Sequence, residues 1–139
     1  MLLQPSYGDL SDKLSNISLA YIGDGVFELM VREYLITHFN IPGGQLHKLA
    51  TDIVNAQSQS DGANAILHLL TDEETQVYMR GRNAKLSGNK KNNPVAHCRA
   101  SGIETLFGYL YLKGNIERLN ELIMIILDNN KNIELNNLK

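Results

Sequence analysis

Leu19-Ala20-Tyr21-Ile22-Gly23-Asp24-Gly25-Val26-Phe27-Glu28-Leu29-Met30 is the stretch whose reading decides the fold. Around it Ile17, Tyr21, Val26 or Phe27, Met30, Tyr34 and Leu35 recur at three- and four-residue steps, the period of a helix buried along one face. Ser15 and Asn16 are candidate caps and Pro42 bars continuation, so the pattern predicts a helix of roughly twenty residues. It is expected to be the central helix. Asp24 interrupts this apolar run and Glu28 follows one turn later. An ionised Asp buried alone costs several kcal/mol or more in desolvation, and no cation lies on this segment to offset it. The flanking Gly23 and Gly25 each lower helix propensity by about 1 kcal/mol relative to Ala, and their small size lets another element approach closely. An acid between two glycines in an apolar helix marks a site.

Helical spacing continues outward from that stretch. After Pro42-Gly43-Gly44 come Leu46, Leu49, Ile53 and Val54, a polar stretch around Ser58 to Asp61, then Ala65, Ile66, Leu69 and Leu70, which fits two helices or one kinked helix. Thr71-Asp72-Glu73-Glu74 reads as a capping box that starts a helix running towards Arg82. Residues 98–112 and 116–127 are apolar at helical spacing, and the Asn- and Lys-rich tail reads as frayed. No stretch alternates as a strand does, and no period repeats. The expected class is all-α, as a single domain over residues 1–139.

Composition excludes several classes. The chain of 139 residues is long enough for a real core, and its single Cys98 allows no internal disulfide framework. The N-terminus lacks a basic region followed by a long apolar core, and no apolar run is long enough to span a bilayer. A cytoplasmic protein away from membranes is expected. Net charge is -2, so bulk charge does not attract nucleic acid. Its distribution is uneven, however. Arg80, Arg82, Lys85, Lys90, Lys91 and Arg99 fall within residues 80–99, which contain no Asp or Glu. Gly81, Asn83, Gly88, Asn89, Asn92, Asn93 and Pro94 give that segment the composition of a loop after a helix end. Such a loop suits a nucleic-acid backbone, whose contacts are ionic and need reach more than shape; a solvated loop without function fits this segment equally well.

Glu104, in Ser101-Gly102-Ile103-Glu104-Thr105-Leu106-Phe107-Gly108, has a setting that mirrors that of Asp24. Two such helices crossing in the core would bring both carboxylates to one polar hole. Like charges that close need a bridging cation, and hard oxygen ligands with open positions favour Mg²⁺ or Mn²⁺. The alternative is that each acid is satisfied separately by Arg or Lys. His38, His47, His68 and His97 are too scattered for a ligand set, and no His-Asp dipeptide of the metal phosphohydrolase kind occurs.

These residues resemble the ribonuclease III endonucleases, in the short Mini-III branch that lacks a double-stranded-RNA-binding domain. The segment from Leu19 to Glu28 is similar to the family's signature helix. Arg80-Gly81-Arg82-Asn83-Ala84-Lys85 is similar to the Mini-III basic segment, and the run from Ser101 to Leu112 to the second acidic helix. Together they cover about residues 16–127. The resemblance implies a dimeric helical endonuclease domain with Asp24 and Glu104 as the metal-binding catalytic acids. It implies Mg²⁺ as cofactor, with Mn²⁺ as substitute, and RNA contacts from Arg80, Arg82, Asn83, Lys85, Lys90 and Lys91. Ser101 is expected to support the acids without touching the ion; Glu28 either does the same or caps the polar face of its helix. The implied reaction cuts double-stranded RNA to 5′-phosphate and 3′-hydroxyl ends, a homodimer cutting both strands with a short 3′ overhang. Maturation of large-subunit (23S) ribosomal RNA is the implied role, with a large-subunit ribosomal protein as possible helper.

Departures from the family pattern bear on the site. Larger relatives carry further acids where this chain has Ala20 and Ser101, a reduction the Mini-III branch shares; Gly25 stands where the branch usually has Ala, and Gln57 where a Lys is expected. Fewer carboxylates leave more coordination positions to water and RNA phosphate, so weak metal affinity is expected in the free protein. The missing acids also support a competing class, a non-catalytic RNA-binding or ribosome assembly factor on the same fold. Retention of Asp24 and Glu104 argues against it, because a binding-only bundle gains stability from apolar residues in place of buried acids.

Overall fold

The computed structural model describes residues 2–84 and 94–135. Its helices are α1 (Leu10–Lys13), α2 (Asn16–His38), α3 (Gly43–Val54), α4 (Ala56–Ile66), α5 (Asp72–Ala84), α6 (Pro94–Lys113), α7 (Ile116–Asp128) and α8 (Lys131–Leu135), with a 3₁₀ turn over Leu67–Leu69 before α5. No strand occurs among the described residues, and no helix there is long and apolar enough to cross a membrane.

Local chemistry sets most helix ends. The Ser15 side chain accepts from the Ser18 amide at the start of α2. Pro42, which cannot continue a helix, serves as the N-cap of α3. Asn55 separates α3 from α4, its side chain accepting from the Ser58 amide at 2.9 Å, so the ambiguous region is two helices. The polar stretch around Ser58 does not interrupt the chain; α4 runs through it and buries Gln59 and Ser60. Helix α5 runs past Arg82 to Ala84 and α6 starts already at Pro94, so residues 83–84 and 94–97, expected in a loop, are helical. Within the tail expected to fray, residues 131–135 form α8, where Asn130 Oδ1 accepts from the amides of Asn132 and Ile133.

Helix α6 is the centre of the molecule, not α2. Residues 100–103 and 105–110 are all buried, so α6 is enclosed round its circumference, by α2, α4 and α5. Helix α2 buries Leu19, Gly23, Val26, Phe27, Val31 and Leu35, while Ile17 and Tyr21, expected in the core, are 80% and 84% exposed. The outer side of α2 also carries large apolar side chains, Ile17, Tyr21, Leu29 and Ile36, and the described residues leave them uncovered. Phe27 and Phe107 meet across the α2–α6 crossing with ring centroids 5.4 Å apart and planes tilted at 60°. At this crossing a Cβ on Gly23 would lie 1.7 Å from the Glu104 carbonyl oxygen, and one on Gly108 2.0 Å from that of Leu19. The backbones touch, which no other residue permits.

Residues ahead of α2 also dock on α6. The Tyr7 amide donates to the Leu112 carbonyl at 2.8 Å, Lys113 pairs with Asp12 at 2.9 Å, and the Tyr109 hydroxyl donates towards Asp12 and Glu73.

The capping box forms as the sequence predicts: the Glu74 amide donates to Thr71 Oγ1 and the Thr71 amide to Glu74 Oε1. Glu74 is buried and takes two further bonds from Arg118, Nε to Oε2 and Nη2 to Oε1, both 2.9 Å, while Nη2 also donates to the Leu69 carbonyl. Burial pushes the Glu74 carboxyl up, but the Arg118 guanidinium and the Thr71 donors outweigh it and hold the group below its ordinary value of 4.5. A depressed folded value stabilises the fold fully above 4.5, and this contribution is lost as pH falls through the folded value. Glu74→Gln is expected to cost about 3 kcal/mol at pH 7, because the partly buried Arg118 loses its two-bonded carboxylate and keeps only the exposed Glu121 as counter-charge. Urea unfolding at pH 7 and pH 3 checks this: the gap between wild type and variant should narrow at the lower pH.

Candidate active site

The contact of Gly23 with Glu104 fixes where the two acids meet. Asp24 follows Gly23 and projects away from the crossing to the outer side of α2, where it is exposed. Glu104 leaves α6 at the same point and is half-buried. Both line an open pocket of about 360 Å³ between α2, the end of α5 and α6. The expectation of a polar hole inside the core is therefore corrected. Gly23 meets the core and Asp24, the next residue round, does not, so the site opens on the surface. Gly25 is likewise exposed with nothing within 4 Å of a built Cβ, so of the two glycines only Gly23 serves close packing within the chain.

Ala20 and the buried Ser101 line the same pocket, as do Asn16, Ile17, Tyr21 and Ala84. Glu28 is not among its lining residues. Its Oε2 accepts from Arg32 Nη2 at 2.5 Å and from Nε at 3.0 Å, one turn further along α2. That pair is half-exposed, and pairs of this kind contribute about 0.3–0.5 kcal/mol.

Helix α5 brings part of the basic segment to the pocket. Ala84 is at the rim, Arg80 is exposed, and Arg82 Nη1 donates to Asn83 Oδ1 at 3.2 Å. The Arg80 carbonyl accepts from Asn16 Nδ2 at 3.4 Å, which joins α5 to the first turn of α2. Lys85, Lys90 and Lys91 lie outside the described residues. Sequence reasoning assigns Asn16 only to helix capping, whereas Ser15 is the cap and the Asn16 side chain belongs to the pocket. The only signal is its place two turns before Asp24 on adjoining faces of one helix.

The donor chemistry fits a hard divalent cation. Among the described residues the pocket offers two carboxylates and, behind them, the Ser101 hydroxyl, and no thiolate or imidazole lines it. Oxygen ligands of this kind suit Mg²⁺ or Mn²⁺ rather than the nitrogen and sulfur sites of zinc. Among the described residues no three His, Cys, Asp or Glu side chains gather as a complete ligand set. Such a cation would keep most of its shell for water and substrate, as Mg²⁺ does beside phosphates.

Comparison with known proteins adds an independent line. The family described as "Ribonuclease III domain" matches residues 17–115. A protein of Enterococcus faecalis named "Mini-ribonuclease 3" is 42% identical over 114 residues, covering 80% of this chain and 86% of that one. One of the same name from a Synechocystis species is 42% identical over 125 residues, covering 89% and 85%. The crystal structure of a Fusobacterium nucleatum protein superposes with a TM-score of 0.74 at 27% identity, over 87% of this chain and 97% of that one.

Proposed function

The chain belongs to the ribonuclease III family, on its Mini-ribonuclease 3 branch, and from that premise we propose how its pocket cuts RNA. The protein is a double-strand-specific endoribonuclease that depends on a divalent metal. The observation that carries the mechanism is the pairing of Asp24 with Glu104 in one open pocket. These two carboxylates are the catalytic acids and would hold Mg²⁺, with Mn²⁺ as substitute. When bound, the cation supplies an activated water in line with the scissile bond and offsets charge gathering on the phosphoryl oxygens. Asp24, exposed, faces the incoming strand, and Glu104 stems from the point where the α2 and α6 backbones touch. Ser101, buried behind the pair, supports their placement, and Glu28 acts through Arg32 at the edge of the same helix. Arg80, Arg82 and Asn83 flank the pocket as backbone contacts, continued by Lys85, Lys90 and Lys91. Contacts of this kind position a duplex and do not read its bases.

The working enzyme is a homodimer. Ile17 and Tyr21, 80% and 84% exposed, flank Asp24 on the outer side of α2, and Leu29 and Ile36, both 64% exposed, continue that outer side. A stripe of this size on a surface helix marks an association site, and a two-fold axis would place two pockets side by side, one for each strand. The substrate is precursor RNA of the large ribosomal subunit in the cytoplasm, with a large-subunit ribosomal protein as helper.

Cleavage of a perfect RNA duplex by the purified protein with Mg²⁺ tests this reading, single strands and duplex DNA being spared. Tyr21→Glu puts a charge in the stripe and should convert a dimer to a monomer in sedimentation. Binding without cleavage by the unmutated protein would overturn the mechanism.

A further inference from the structure

We infer that Asn16 is a specificity-determining residue whose side-chain oxygen accepts a hydrogen bond from a ribose 2′-hydroxyl of the bound duplex. The inference rests on the endonuclease reading above. Asn16 lines the pocket that holds Asp24 and Glu104. Its Nδ2 lies 3.4 Å from the Arg80 carbonyl oxygen, a long donor contact that places Oδ1 on the other side of the amide. The remaining atom, Oδ1, is buried and has no hydrogen-bond partner among the described residues. An acceptor left in that state is costly, and an unmet buried polar atom beside a reaction pocket points to a donor that arrives with the substrate.

Chemistry and distance decide which donor. Asn16 precedes Asp24 by eight residues, which places it about 12 Å away along the helix axis. A cation whose ligands lie at about 2.1 Å cannot be shared across that span. A strand leading to a scissile phosphate held at the two acids would cross it. Duplex RNA presents a row of 2′-hydroxyls on its minor-groove side, each able to donate, and that group distinguishes RNA from DNA. The bond to Arg80, at 3.4 Å, is beyond the usual range for an amide donor, so the side chain is weakly held and can swing its oxygen towards the strand.

The test is a 2′-deoxy scan. Wild-type enzyme with Mg²⁺ is given a duplex with one defined cut, as all-ribose and with single 2′-deoxy residues at each nucleotide flanking that cut. One position should lower kcat/KM about tenfold, as loss of a single buried hydrogen bond does. Asn16→Ala should cut the all-ribose duplex about tenfold more slowly and be insensitive to that one substitution, with an unchanged unfolding midpoint. Asn16→Asp keeps an acceptor at the same reach and should retain the sensitivity. A wild-type enzyme indifferent to every 2′-deoxy position overturns the inference without need of any variant. So does an Asn16→Ala enzyme that keeps the full penalty at every position, or one whose affinity for Mn²⁺ without RNA is weakened, which would assign the oxygen to the cation's shell. A wild-type protein that cuts no duplex at all overturns the endonuclease reading itself.

Discussion

Asp24→Asn and Glu104→Gln are each expected to lower duplex cleavage on the order of a thousandfold, the scale on which loss of a preorganised charge at a reaction centre is felt. Both substitutions keep the shape of the side chain and remove its charge. Two carboxylates in one pocket are the whole of its anionic donor set among the described residues, so losing either halves the charge that holds a dication. The fold should survive. Asp24 is exposed, and its replacement leaves no group unsatisfied, so its urea midpoint should stay within experimental error of wild type. Single-turnover cleavage at saturating Mg²⁺, measured beside urea unfolding, separates loss of chemistry from loss of structure. Wild-type rates from either variant would remove these acids from the mechanism.

Gly23→Ala is expected to be the most damaging small substitution in the chain, destabilising it by about 4 kcal/mol or more. The added methyl would lie 1.7 Å from the Glu104 carbonyl oxygen, and the obstacle is backbone, which cannot rotate aside. Relief requires α2 and α6 to separate, which breaks the Phe27–Phe107 contact and moves Glu104 away from Asp24. Gly25→Ala is the control. Nothing lies within 4 Å of its methyl, so the chain should gain about 1 kcal/mol of helix propensity. Urea midpoints moving in opposite directions at positions 23 and 25 would establish the crossing; a tolerated Gly23→Ala would refute it.

What the sequence determined by itself is local. Ser15, Asn55 and the Thr71–Glu74 box each satisfy amides only three residues away, so the starts of α2, α4 and α5 are written in adjacent residues. The helical period is local too, and the all-α class follows from it. Likeness of three short segments to a family brings Asp24 and Glu104 into one hypothesis, although eighty residues separate them. Other properties depend on partners far along the chain. Helix α2 is apolar on two faces, so periodicity alone assigns Ile17 and Tyr21 to a core they do not enter, and assigns α2 the central place that α6 holds. Equal glycines at 23 and 25 have unequal duties because one points at α6 and the other at solvent. Asp24 stands in the open for the same reason, a single residue's rotation away from the crossing. Asn16, legible as a helix-start residue, acquires an orphaned oxygen only once α5 is packed beside it. Caps and turns are settled within four residues, whereas burial and the company a side chain keeps are settled by which surfaces the whole chain can bring into contact.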